Sequence, residues 1–201
     1  AISIPNDAIR LNPGDDVQAI VNAHPSGTAF VFSAGVYRLQ LIIPKDGNRF
    51  YGEAGAIISG ARLLSNFQQQ GNVWFVSGQT QQGPTRGECE SSAPRCWHPE
   101  DFFIDGVPLR HVNSVNQVVS GTYFFDYNAD RIYFADNPNG HVVETSVTPY
   151  AFGGNASNVL ISNLTIEKYA SPAQSAAINA VNTNNWVIQN NIVTLNHGGG
   201  I

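Results

Sequence analysis

The sequence predicts an all-β fold in which short strands stack as repeats. Residues 158–166 and 185–195 overlay with a shift of 27 positions, and residues 175–178 overlay 198–201 with a shift of 23. The longer overlay pairs Asn158 with Asn185, Ile161 with Ile188 and Asn163 with Asn190. Short apolar strands that recur at such periods, separated by Asn and Gly, are typical of stacked repeats.

Each overlaid block alternates apolar and polar side chains, with Val159, Ile161, Leu164 and Ile166 in the first and Trp186, Ile188 and Val193 in the second. A period of two predicts strands with one buried face, and the asparagines between them suit tight turns. We expect Asn163 and Asn190 to form an internal ladder that satisfies buried polar groups. The motif Asn163-Leu-Thr165 also fits a glycosylation acceptor.

The beginning of the chain predicts one short amphipathic helix within residues 12–23. Asp15 is placed to cap it with Gln18 three positions later, and Val17, Ile20 and Val21 fall on one face. This position assigns Asp15 and Asp16 to capping rather than to catalysis. Strands are predicted at residues 28–32, 34–37, 39–43, 49–52 and 56–60.

Residues 62–140 break this rhythm and predict an inserted antiparallel β module. Asp105-Gly106 is a hairpin turn signal, and residues 121–126 and 131–134 form a second hairpin. The repeats then resume at His141, which divides the chain into residues 1–61, 62–140 and 141–201. The module aromatics are expected to form its core, with a sugar-stacking platform as the alternative: Trp74, Phe102, Phe103, Tyr123, Phe124, Phe125, Tyr133 and Phe134.

The two cysteines, Cys89 and Cys96, lie seven positions apart. No further cysteines and no clustered histidines accompany them, so a zinc site is not expected. The spacing favours a disulfide, with two free thiols as the alternative. A disulfide indicates an oxidising compartment and hence secretion. Trp97 and His98 stand beside this loop, outside any strand pattern, and are candidate ligand contacts.

The charge pattern argues against two classes of partner. The formal net charge is −5, and the lysines are Lys45 and Lys168, so we expect no basic patch and no nucleic-acid partner. An apolar run of the ~20 residues that cross a bilayer is also lacking, which predicts no membrane partner.

The pattern NVLISNLTIEKY, followed by AINAVNTNNWVIQNNIVTLNHGGGI, resembles the right-handed parallel β-helix of the pectate-lyase-like superfamily. That group contains polysaccharide lyases, glycoside hydrolases and phage tailspikes. The resemblance implies a right-handed parallel β-helix (a solenoid) with an N-terminal capping helix over residues 12–23. The order of strands in residues 62–140 is similar to an insertion in carbohydrate-active members of the group.

The resemblance also implies a substrate groove on one parallel sheet, formed by residues 176–181 and 199–201. The turns 167–174 and 196–198 would border it. This mapping gives Glu167, Lys168 and His197 as candidate catalytic residues, and Trp97, His98, Tyr169 and Gln174 as candidate substrate-binding residues.

No complete catalytic set is visible among these candidates. A glycoside hydrolase needs two carboxyl groups about 5 to 9.5 Å apart, and only Glu167 is available at the predicted groove. A lyase needs a base, for which Lys168 or His197 is a candidate, and a cation to neutralise a uronate. Without an aspartate cluster we expect no metal or other cofactor, with calcium entering only for a lyase.

These features predict the N-terminal part of a secreted carbohydrate-active enzyme that acts on a polysaccharide. Hydrolysis is favoured over elimination, and a non-catalytic glycan-binding or adhesive protein is the alternative from a different class. Because the last repeat stops as a strand should begin, we expect either that the chain is a fragment or that a second polypeptide or a second copy of the chain completes the fold.

Overall fold

The computed structural model describes residues 3–201, in which one α-helix, one 3-10 turn at Val115–Gln117 and eighteen short strands are formed. The helix, α1, spans Val17–Ala23. The strands are β1 (Ile9–Leu11), β2 (Ala29–Phe32), β3 (Gly35–Arg38), β4 (Arg49–Gly52), β5 (Ala56–Ser59), β6 (Ala61–Leu63), β7 (Gln68–Gln70), β8 (Val73–Ser77), β9 (Phe102–Ile104), β10 (Val107–Pro108), β11 (Arg110–His111), β12 (Thr122–Asp126), β13 (Arg131–Phe134), β14 (Val143–Ser146), β15 (Leu160–Ser162), β16 (Thr165–Glu167), β17 (Val187–Gln189) and β18 (Ile192–Thr194).

Two of the four sheets are parallel and share one core. Their strand orders are β1-β2-β4-β15-β17 and β18-β16-β5-β3. Ile161 pairs with Ile188, as the 27-residue overlay predicts. The core between the sheets is aromatic, with Phe50 against Phe30 and Phe152 at ring-centroid distances of 5.4 and 5.1 Å. Each such side chain contributes on the order of 1.5–3 kcal/mol by its burial.

The other two sheets are antiparallel or mixed. One has the order β10-β9-β14-β6, with antiparallel pairs throughout. The other has the order β11-β12-β13-β8-β7, in which only β11 and β12 run parallel. Five of the module aromatics are buried, which confirms a core role for them: Phe102, Phe103, Tyr123, Phe125 and Phe134.

The prediction of a right-handed parallel β-helix is wrong. The strands fall into four small sheets of mixed orientation, and no solenoid sheet runs through residues 3–201. Strand β14 shows the reason. Its alternation predicts a resumed repeat, but β14 pairs antiparallel with β6 and β9. An alternation of apolar and polar side chains indicates that a strand has one buried face. It does not indicate whether the strands paired with it run parallel or antiparallel. The overlay of two blocks therefore does not extend to the whole chain.

The predicted helix forms, but its cap is one residue later than expected. Asp16 is the N-cap, and its Oδ1 accepts a hydrogen bond from Ala19 N at 3.0 Å. Asp15 instead accepts from Asn12 N at 2.7 Å, and Gln18 bonds Ile43 N. Both aspartates thus act locally, as predicted. None of the helices among residues 3–201 has the length and hydropathy to cross a membrane.

The predicted ladder of Asn163 and Asn190 is wrong, because both side chains are exposed. These residues occupy left-handed turns with φ of 60° and 56°, a conformation that Asn tolerates better than most residues. The internal amides come from other positions. Asn191 accepts from Leu164 N and donates to Ile161 O, both at 3.0 Å. Asn196 makes the equivalent bonds to Tyr169 N and Ile166 O.

Candidate functional site

The disulfide loop, residues 89–98, carries the first predicted contacts. Cys89 and Cys96 are bonded, with Cα atoms 5.5 Å apart, which confirms the predicted disulfide. Trp97 follows the bridge with 40% of its surface exposed, and Arg86 N donates to its carbonyl at 3.2 Å. Thr85, Arg86 and Gly87 bound a cavity of about 150 Å³ beside this indole. The loop therefore presents a flat aromatic surface to solvent.

His197 connects this loop to the turn after β18. Its Nδ1 lies 2.9 Å from Asp101 Oδ1, and its Nε2 lies 2.6 Å from the carbonyl oxygen of Cys96. Both partners can only accept, so both ring nitrogens donate and the ring is an imidazolium. Burial lowers the pKa of His197, but the hydrogen bond and the charge of Asp101 outweigh it, and the pKa is raised overall.

Three histidines and two arginines surround a cavity of about 170 Å³ next to this contact. We call it the histidine pocket. The charged and imidazole side chains that line it are Arg95, His98, Asp101, Arg110, His111 and His197. They come from the disulfide loop, the residue before β9, strand β11 and the turn after β18. Residues far apart in sequence therefore meet here.

His98 and His111 are held as neutral rings in this pocket. His98 stacks on Tyr127 with ring centroids 4.5 Å apart, and His111 stacks on Tyr123 at 4.4 Å. Burial first, and then the charge of Arg95, lower the pKa of His98 to about 4 and that of His111 to about 2. His197, whose pKa is raised, is thus the imidazole of the pocket that its contacts favour in the charged form.

Glu100 lies behind the pocket and is 1% exposed. Its carboxylate accepts hydrogen bonds from Tyr127 Oη at 2.8 Å and from the backbone N–H of Gly83. Burial raises the pKa of Glu100 against these bonds. Glu100 thereby fixes Tyr127, on which His98 stacks.

Lys168 and Glu167 belong to a buried ionic cluster. Glu144 Oε1 and Glu167 Oε1 lie 2.8 and 3.2 Å from Lys168 Nζ, and Arg38 Nη1 lies 2.6 Å from Glu144 Oε2. Burial opposes the ionisation of Glu144, but hydrogen bonds from Lys168 and Arg38 outweigh it and lower its pKa. The Lys168 side chain is thus engaged by two carboxylates and is not placed to act as a base.

Two carboxylates therefore lie close together at Lys168, which the sequence did not show. Glycoside hydrolysis uses such a pair about 5 to 9.5 Å apart. Here, however, the Glu144 side chain is 3% exposed and both of its oxygens are occupied by cations. Glu167 retains 18% side-chain exposure. This cluster joins the sheets and does not present a general acid to a substrate.

A cavity of about 500 Å³ is lined by residues of the predicted groove. Residues 176–181 and 199–201 do not form the predicted groove strands, because they are joined by isolated bridges and belong to neither parallel sheet. We keep the name groove for the cavity. Gln174 lies there as predicted, and the remaining lining is Ser175, Ala176, Ile178, Asn179, Ala180, Val181, Gly199 and Ile201. Tyr169 does not reach it, because Tyr169 is fully buried and its hydroxyl donates to Gln40 O at 2.7 Å. Tyr169 is therefore a core residue rather than a substrate contact.

The groove and the disulfide loop are neighbours. Gly198 follows His197 and packs so closely against Pro172 O and Ser175 O that a side chain at Gly198 would clash with them. On the other side, a Cβ at Gly87 would lie 3.2 Å from Ala173. The disulfide loop thus contacts the turn 196–198 through His197, and Gly87, which precedes the loop, lies against the turn 167–174.

Several residues of this region were missed by sequence reasoning, namely Arg95, Glu100, Asp101, His111 and Tyr127. The run Trp97-His98-Pro99-Glu100-Asp101 was a partial signal, since it concentrates polar groups beside a disulfide. The pairing of Asp101 with His197 spans 96 positions and leaves no pattern in one sequence. Among residues 3–201, no group of three or more metal-ligating side chains is arranged to hold a metal ion.

Comparisons with known proteins show the fold alone. No family model matches, and no curated protein matches the chain. A structure titled "The complex structure of XylC with xylose" superposes on 87% of this chain with a TM-score of 0.65 and 15% identity. A second, titled "Glycoside hydrolase", superposes on 81% with a TM-score of 0.52 and 9% identity. This chain spans 36% and 50% of those two chains. The superfamily resemblance stays a prediction.

Proposed function

We propose that this chain forms the sugar-binding part of a carbohydrate-active protein, with glycoside hydrolysis favoured over elimination as the activity of the whole protein. The observation that carries the proposal is the His197 contact. It holds the disulfide loop, and with it the exposed Trp97, against the turn that borders the groove. An exposed indole beside a polar-edged groove is a surface on which a sugar ring can stack.

The groove supplies the polar contacts that such a ligand needs. Gln174, Ser175 and Asn179 offer amide and hydroxyl groups beside the apolar Ala176, Ile178 and Val181. None of the groove residues is charged. A lining of this kind suits a neutral saccharide, whose ring has apolar faces and a hydroxyl rim. The two structural neighbours, a xylose complex of XylC and a glycoside hydrolase, support the same class of ligand.

The candidate catalytic side chains Glu167, Lys168 and His197 are each held in an ion pair or hydrogen bond. Glu167, at the start of the turn 167–174, pairs with Lys168, and Asp101 is bonded to His197. The proposal therefore assigns binding to this part of the chain and the catalytic pair to groups outside it. The same observation favours the second candidate, a glycan-binding protein without catalysis. We also propose secretion, which the disulfide supports.

Calorimetric titration with neutral oligosaccharides, xylo-oligosaccharides first, tests the binding proposal. We expect Trp97→Ala to weaken binding by up to about tenfold, as loss of an aromatic contact of about 0.5 to 1.5 kcal/mol predicts. Gln174→Ala is expected to weaken it less. Trp74→Phe, at a half-buried module position, is the matched control and should bind normally. Binding that is unchanged in Trp97→Ala would remove the platform from the proposal.

Product analysis separates the activities. New reducing ends without an unsaturated sugar indicate hydrolysis, whereas an unsaturated product with ultraviolet absorbance indicates elimination. A saccharide that binds tightly and is recovered intact from the whole protein would favour the non-catalytic candidate.

A further inference from the structure

Two histidines that line the histidine pocket each have a buried ring nitrogen that lacks a hydrogen-bond partner in the protein. These are Nδ1 of His98 and Nδ1 of His111. His111 is 8% exposed, and both rings line the same cavity of about 170 Å³ with centroids 5.6 Å apart. A buried polar atom without a partner is destabilising, so native structures normally supply one.

The other ring nitrogen decides which proton each histidine carries. Phe125 N donates to His111 Nε2 at 3.1 Å, so Nε2 is an acceptor and the proton of the neutral ring is on Nδ1. Arg95 Nη2 lies 3.1 Å from His98 Nε2, and a guanidinium can only donate, which places the His98 proton on Nδ1 as well. Both unpartnered atoms are therefore N–H donors, and what they need is an acceptor.

The charges around the cavity identify the kind of acceptor. Arg95, Arg110 and the His197 imidazolium line it, against the single carboxylate of Asp101, which is already bonded to His197. Positive charge is thus in excess. The volume suffices for several water molecules, or for one carboxylate with a few carbon atoms. Arg110 is exposed and lies at the solvent side of the cavity.

We propose that the histidine pocket binds a carboxylate group, which accepts hydrogen bonds from the Nδ1–H groups of His98 and His111 and is balanced by Arg95 and Arg110. The planar carboxylate offers two oxygens for two ring donors. This site is separate from the groove and does not depend on the neutral-sugar proposal. The carboxylate belongs either to a small free acid or to an acidic sugar.

Calorimetry on the full chain tests this with acetate, glucuronate, glucose and sulfate as probes. We expect acetate or glucuronate to bind, with an affinity that falls as salt is added. Binding of acetate assigns a free acid, and binding of glucuronate alone assigns an acidic sugar. Glucose can also bind at the groove, so glucose binding counts against the carboxylate assignment only where His111→Gln weakens it together with glucuronate binding. Sulfate binding as well as acetate binding would overturn the assignment, and so would the absence of binding by both acetate and glucuronate, which leaves water as the partner.

Two variants locate the site. His111→Gln and His98→Gln each keep an acceptor for Phe125 N or Arg95 and remove the ring Nδ1–H, so each should weaken carboxylate binding by about tenfold. His141→Gln is the control, because His141 is a half-exposed histidine that pairs with Asp105 elsewhere. His98→Gln keeps the test open if His111→Gln does not fold. Carboxylate affinity unchanged in a folded His111→Gln would refute the site, whereas unchanged neutral-sugar binding in that variant is expected.

Discussion

His197 is the residue whose chemistry is most exposed to a change of pH. Both of its nitrogens face acceptors, Asp101 Oδ1 and Cys96 O, so the neutral ring can keep only one of the two bonds. The folded protein raises its pKa above the ordinary 6.5. Its contribution to stability is therefore complete below pH 6.5 and is lost as the pH rises through the raised value.

We predict that wild-type protein loses about 1 to 2 kcal/mol of this contribution between acid and mildly alkaline pH, whereas His197→Gln lacks the step. Denaturant unfolding of both proteins across that range measures it. The difference between the two curves isolates His197 from His98 and His111, whose lowered pKa values act in the opposite direction and weaken the fold as the pH falls below 6.5. Parallel curves for the two proteins would contradict the imidazolium assignment.

At the scale of the elements, strands β15 to β18 repeat in their turns as well as in their ladders. The left-handed residues Asn158, Asn163 and Lys168 recur 27 positions later as Asn185, Asn190 and Leu195. The side chains of Asn191 and Asn196 close the same turns from the inside. In the second repeat, the exposed Asn190 adopts the left-handed backbone angle. The next residue, Asn191, bonds the backbone groups Leu164 N and Ile161 O of the first repeat.

Asn191→Ala should therefore cost about 1 to 3 kcal/mol of unfolding free energy, because it leaves Leu164 N and Ile161 O without partners. Asn190→Gly is the matched control. It removes a neighbouring exposed amide, and Gly accepts the φ of 56° without strain. Its effect should stay within about 0.5 kcal/mol. Equal losses in the two variants, measured by urea unfolding, would show that the internal amide has no special role.

What the sequence could predict at this scale is set by the range of each signal. The helix, the hairpin turn at Asp105-Gly106 and the pairing of Ile161 with Ile188 rest on local chemistry or on a clean repeat, and all three form. The direction of β14 depends on distant partners and was mispredicted. Tyr169 was mispredicted for the same reason, since a turn position does not reveal that the ring points into the core.

At the scale of the whole molecule, a buried ionic cluster joins the parallel sheets to the antiparallel ones. Glu144 lies on β14, whereas Arg38 ends β3 and Lys168 follows β16. Removing one partner of such a cluster leaves an uncompensated buried charge. The cluster therefore matters more for the cohesion of the sheets than any exposed ion pair.

Glu144→Gln is expected to lower the unfolding free energy by about 3 to 5 kcal/mol, because Arg38 and Lys168 then lie beside a neutral side chain and lose their charged partner. Glu53→Gln, which breaks the exposed pair with Arg10, should change little. Thermal melts of the two variants measure the contrast. A Glu144→Gln protein as stable as Glu53→Gln would mean that the sheets are held by apolar packing alone.

The His197 contact joins the turn after β18 to the disulfide loop, and the Glu144 cluster joins β14 to the residue after β16. The two contacts lie at different places between the parallel sheets and the rest of the chain. Two separated contacts oppose a rotation of the antiparallel sheets relative to the parallel ones. The Trp97 surface and the groove therefore keep their relative positions in the absence of a ligand. A ligand then meets a preorganised surface, and little conformational entropy is lost when it binds. The affinity of such a surface depends on its contacts with the ligand and not on the free energy needed to order the site.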